Sequence, residues 1–67
     1  MTPAEFIAGQ DMPTTEAVKL CAQVCGVQER MAWNWLAGSS KWKPATEKLL
    51  QIYSECTEAQ RAAWWPQ

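Results

Sequence analysis

The chain has no histidine and only one aspartate, Asp11. Without histidine it lacks the commonest general base and the commonest metal ligand. With no phosphate-cradling glycine loop and no carboxylate pair either, catalysis is not expected. Cysteine is scarce and odd in number: Cys21, Cys25 and Cys56 sit inside apolar helical patterns, unlike the evenly paired framework of a secreted mini-protein. They read as reduced, buried, small hydrophobes. Three thiols without histidine also leave a tetrahedral zinc site one ligand short, so no metal and no cofactor is expected. Long apolar runs are missing too; none approaches the roughly 20 residues that span a bilayer, and no membrane partner is expected. Met1 to Gln10 carries no lysine or arginine ahead of its apolar residues, which argues against a secretory signal and for a cytoplasmic location.

What is present is a globular composition, 48% apolar and 19% charged over 67 residues. A chain of this length buries roughly 60% of its extended surface and cannot divide its core, so residues 1–67 are expected to form one domain. Nothing alternates with the two-residue period of a strand, and no repeat is visible. The fold class is therefore all-α, a small bundle of four to five helices.

Punctuation along the chain places the helices. Thr2, Pro3 and Glu5 form a capping signal for a first helix from Pro3 to about Ala8, which Gly9 would end in the left-handed conformation. Gln10 to Pro13 reads as a connector, and Thr14 or Thr15 as the cap of a second helix ending at Gly26. Ala17, Val18, Cys21, Ala22, Val24 and Cys25 give that helix an apolar stripe. A third helix is expected from Gln28 to Ala37, with Met31, Ala32, Trp35 and Leu36 inward and Gly38 closing it. Pro44 opens a fourth, with Leu49, Leu50, Ile52, Tyr53 and Cys56 as its apolar set. Thr57 and Gln60 form a second capping box for a last helix over 57–65 that stops at Pro66.

The informative stretch is Val18 to Ala37. Two helices that cross at so short a turn need a small side chain where their backbones approach, a glycine to turn, and an apolar residue to plug the core. Ala22, Gly26 and Val27 supply these, and Trp35 falls on the same inward face as Ala32, where a large ring locks the third helix onto the second. Charge is unevenly distributed. Val18 to Lys48 holds five basic residues against two acidic ones, while the rest of the chain holds Arg61 alone against five acidic residues. The basic excess thus lies where a nucleic-acid face would be.

This pattern, from the Ala22, Gly26 and Val27 turn through Trp35, Gly38, the basic loop, Pro44 and the Leu49-Leu50 pair, resembles the helix-turn-helix of Cro and lambda-repressor-like DNA-binding domains. The resemblance implies a helix-turn-helix in helices two and three, with the third in the major groove of double-stranded DNA. It implies base contacts from Gln28, Glu29, Arg30, Trp33 and Asn34, and phosphate contacts from Lys41 and Lys43. Arginine pairs bidentately with guanine and glutamine or asparagine with adenine, and Arg30 and Asn34 share a face one turn apart. The expectation is a small repressor of phage or prophage type that reads a palindromic operator as a homodimer, with Trp64, Trp65 and Tyr53 at the dimer interface. The alternative is that the scaffold binds a protein, as a phage-encoded inhibitor of a host regulator would. The acidic overall balance, Trp33 at a base-reading position and the spare tryptophans favour that alternative.

Overall fold

Reciprocal capping starts the first helix. Thr2 Oγ1 accepts from the Glu5 amide at 3.1 Å, and Glu5 Oε1 accepts from the Thr2 amide at 2.8 Å. The bond from the Thr2 amide, with the Thr2 hydroxyl beside it, holds the Glu5 carboxyl below its usual range. The same device starts the last helix, where Thr57 and Gln60 exchange bonds of 3.2 and 2.9 Å. A computed structural model describes residues 1–65. Within them lie α1 (Pro3–Ala8), α2 (Thr14–Cys25), α3 (Glu29–Ala37), α4 (Pro44–Glu55) and α5 (Glu58–Trp64). Among the described residues there is no strand, and no helix is long and apolar enough to cross a membrane. The expected stop of the last helix at Pro66 lies outside the described residues.

The all-α bundle is as expected, with local corrections. Gly9 ends α1 at φ −80°, not in the left-handed region, because the Gln10 side-chain amide donates to the Phe6 carbonyl at 3.0 Å and satisfies the helix end itself. Neither Thr14 nor Thr15 caps α2. Pro13 holds the cap position at φ −58° and ψ 149°, and its carbonyl accepts the first helical bond from Ala17, so Thr14 is already helical. Gln28 is the cap of α3 and not its first residue.

The core is centred on α2, which packs against α1, α3 and α4. Phe6 and Ile7 of α1, Ala17, Val18, Cys21, Ala22 and Val24 of α2, Ala32 and Trp35 of α3, and Leu50 and Tyr53 of α4 form one buried cluster. Burying side chains such as Phe6, Val18 and Leu50 contributes roughly 1.5 to 3 kcal/mol each. Two expected apolar stripes are narrower than read. Met31 on α3 and Leu49 and Ile52 on α4 are exposed, and Cys25 and Cys56 are half-buried. The Cys21 thiol is pushed up by its hydrogen bond to Cys25 and by burial, which keeps it protonated.

The last helix contributes no fully buried residue and is held by three side-chain attachments. Arg61 Nε donates to the Tyr53 carbonyl at 2.8 Å, with the guanidinium carbon 4.3 Å from the Tyr53 ring centroid. Trp65 Nε1 donates to the Val24 carbonyl at 2.9 Å. The rings of Phe6, Tyr53 and Trp65 form an edge-to-face ladder with centroids 5.8 and 5.1 Å apart.

Candidate functional site

The junction of α2 and α3 is built from glycine geometry. Gly26 takes φ 68°, which lets the Val27 amide reach the Ala22 carbonyl at 3.0 Å and the Gly26 amide the Gln23 carbonyl at 3.3 Å. Gly38 repeats this at φ 81°, with Ser39 bonded to Asn34 at 2.9 Å and Gly38 to Trp35 at 3.2 Å. Each pair is a Schellman closure, in which a left-handed glycine turns the chain and satisfies the last carbonyls of its helix. Thus α3 is bracketed at both ends by fixed turns, and Val27, half-buried, packs against the core between them.

The inward face of α3 is locked by Ala32, at 0% exposure, and Trp35, at 6%. The Trp35 indole nitrogen is buried without a hydrogen-bond partner among the described residues. The ring is thus held among the described residues by packing and not by a hydrogen bond. With that face fixed, helical periodicity turns Arg30, Trp33 and Asn34 away from the core. Gln28, Glu29, Arg30 and Trp33 are exposed, and Asn34 is half-buried. The structure therefore brings Arg30 and Asn34 to one face one turn apart.

The basic loop is organised by a residue that sequence reading did not assign to the site. Between α3 and α4 the chain is extended at Lys43, with φ −82° and ψ 155°. Successive side chains of extended chain alternate. Trp42 turns inward and its Nε1 donates to Glu47 Oε2 at 2.8 Å, while Lys41 and Lys43 on either side are exposed. Glu47 also receives the Met1 ammonium at 3.5 Å. Trp42 thus pins the loop so that both lysines are presented to solvent. The signal was in the sequence, a lone aromatic between two lysines ahead of Pro44, but its partner lies a helical turn further on.

The helices α2, α3 and α4 start without a side-chain cap, whereas α1 and α5 both have one. The first-turn amides of α4, which opens directly after the basic loop, and those of α3 at its far end are therefore unclaimed by protein side chains, and such amides favour anions. Of the three residues expected at a dimer interface, Tyr53 is 8% exposed inside the aromatic ladder and is corrected to a core residue. Trp65 is half-buried against it, and Trp64 alone stands out, 76% exposed. Among the described residues no group of three or more histidine, cysteine, aspartate or glutamate side chains could hold a metal ion. No family model, no curated protein and no solved structure matches this chain.

Proposed function

We propose that this chain is a sequence-specific DNA-binding protein of Cro-like helix-turn-helix type, acting as a small phage or prophage repressor in the cytoplasm. The observation that carries the reading is α3 itself. It is locked by Ala32 and Trp35, bracketed by Gly26 and Gly38, and it turns Arg30 and Asn34 outward beside exposed Lys41 and Lys43. In this role Arg30 and Asn34, with Gln28 and Glu29 at the helix start, meet base edges in the major groove. Lys41 and Lys43, with the uncapped first turns of α3 and α4, meet phosphates. No cofactor, metal or catalytic step takes part.

The test is retention on a randomised duplex library at two salt concentrations, followed by sequencing. An enriched palindrome with retention falling steeply in salt is expected. Arg30→Ala should then cost about 1 to 3 kcal/mol and relax specificity, whereas Lys43→Ala should weaken all sequences alike and lower the salt slope by about one. A second reading, a scaffold that binds a protein, is favoured by Met31 and Trp33, each 40% exposed next to Arg30. Aromatic and arginine side chains together dominate protein interface hot spots. Absence of enrichment and negligible retention at low salt would overturn the DNA reading and leave this second one.

A further inference from the structure

The outward face of α3 carries two side chains that suit ordinary base reading badly. Glu29 repels phosphate, and Trp33 offers a single N–H donor on a large apolar ring. Both are exposed, Trp33 by 40%. Neither is consumed by the fold. Trp35 is buried, and Trp42 and Trp65 donate to Glu47 and Val24, whereas Trp33 has no such attachment among the described residues. The ion pair of Met1 with Glu47 likewise leaves Glu29 and Arg30 unpaired among the described residues.

Helical phase groups these side chains. At about 100° per residue, Glu29 and Trp33 lie roughly 40° apart, one turn from each other, along one edge of the outward face. Arg30 and Asn34 form a second edge, with Arg30 roughly 60° from Trp33. The Cβ atoms of Glu29 and Trp33 are thus about 6 Å apart, near enough for both side chains to reach one base. Met31, the other large apolar residue exposed on α3, lies roughly 160° from Trp33. The two therefore do not merge into a contiguous patch of the kind a protein partner covers. A lone indole beside a carboxylate fits instead a small apolar group that stands next to an N–H donor.

The major-groove edges of the bases decide which group that is. Adenine offers a donor without a methyl group, and thymine offers a methyl group next to the O4 acceptor, which a carboxylate repels. Cytosine offers the N4 donor, and methylation at C5 sets a methyl group directly beside it. We propose that α3 recognises 5-methylcytosine beside guanine in duplex DNA. Glu29 accepts from the cytosine N4 amino group, the Trp33 ring packs on the 5-methyl group, and Arg30 donates to O6 and N7 of the guanine. The advance from Arg30 to Trp33, about 4.5 Å along the helix axis, is close to the roughly 3.4 Å of one base step. The inference rests on the DNA-binding reading above and narrows it to methylated sites.

Retention of the whole chain on two randomised duplex libraries, one built with cytosine and one with 5-methylcytosine throughout, tests it. The methylated library is expected to enrich a site with cytosine beside guanine. Returning that one cytosine to its unmethylated form should weaken binding roughly three- to tenfold. Trp33→Ala should abolish this difference, with guanine still preferred and the helical circular dichroism unchanged. Glu29→Ala should let thymine replace 5-methylcytosine, because thymine keeps the methyl group and no carboxylate then opposes its O4. A site that binds equally with and without its methyl group overturns this inference and leaves the DNA-binding reading standing. An enriched site without cytosine, or a Trp33→Ala variant that keeps the full difference, does the same. Retention of neither library at low salt overturns both.

Discussion

The α2–α3 unit and the α4–α5 unit are both helix pairs joined by short connections, yet they are stabilised in opposite ways. At α2–α3 the turn is fixed by a left-handed glycine, and Ala22 of α2 and Ala32 and Trp35 of α3 are buried in one cluster. At α4–α5 the turn runs through extended Cys56, and α5 buries nothing completely; two polar side chains and one ring contact attach it. The difference is one of reach. The nine-residue α3 turns Ala32 and Trp35 into the core, whereas the seven-residue α5 ends on an exposed Trp64 and only Trp65, the residue after it with φ −128° and ψ 68°, turns inward. One unit is therefore built to hold a shape, and the other leaves apolar surface uncovered.

Removing the ring that closes the first unit should give the largest effect. Trp35→Ala is expected to cost about 3 to 5 kcal/mol, a large part of the roughly 3 to 10 kcal/mol available to a domain of this size. Trp35→Phe should stay within about 1 kcal/mol of wild type, because it deletes a buried donor that has no partner along with part of the ring. Chemical denaturation of both variants checks the pair, and equal losses would contradict the role assigned to volume.

The second unit should answer more locally. Trp65→Ala removes the bond to Val24 and the edge contact with Tyr53. It should release α5, so that amides of α5 exchange quickly while those of α2 keep their protection. Trp65→Phe keeps a ring and should lose about 1 kcal/mol. If α2 amides lost protection in step with α5, the two units would be one cooperative element and the contrast between them would fail.

The smallest effect belongs to the cap of α1. The Glu5 carboxyl is held down by the Thr2 amide and hydroxyl, so its contribution is present above its unfolded-state pKa and is lost as pH falls through its folded value. Below that point the protection of the Thr2 amide, read by NMR as exchange relative to the intrinsic rate at each pH, should fall, while the Thr57 amide, capped by the uncharged Gln60, keeps its own.

Much of the fold was legible because its signals are local. The capping pairs Thr2–Glu5 and Thr57–Gln60 span three residues, and Gly26 and Gly38 follow directly on the last turns they close, so each could be read without knowing the tertiary packing. Gly9 was misread because its conformation depends on whether another group takes the terminal carbonyl, and here the Gln10 side chain does. Leu49 and Ile52 were assigned to the core because α4 carries more apolar residues than its neighbours can cover, which depends on how far α5 extends. At the site, Gln28, Glu29, Arg30 and Trp33 stand exposed as helical phase requires. The support of Lys41 and Lys43 by Trp42 and Glu47 was not visible, since it joins a loop to the following helix through a side-chain bond with no repeating pattern.

The attachment of α5 has a consequence for how sequence change would act on this chain. Arg61 and Trp65 both donate to main-chain carbonyls, those of Tyr53, Ser54 and Val24. Every residue type carries such an acceptor, so no substitution at Ser54 or Val24 deletes it unless the backbone itself moves. At Ser54 and Val24 the receiving side of the joint is insensitive to mutation, whereas at Tyr53 the ring, packed against Arg61 and Trp65, takes part in docking α5. Substitutions at Val24 and Ser54 should therefore leave the last helix in place as long as Arg61, Trp65 and the Tyr53 ring are kept.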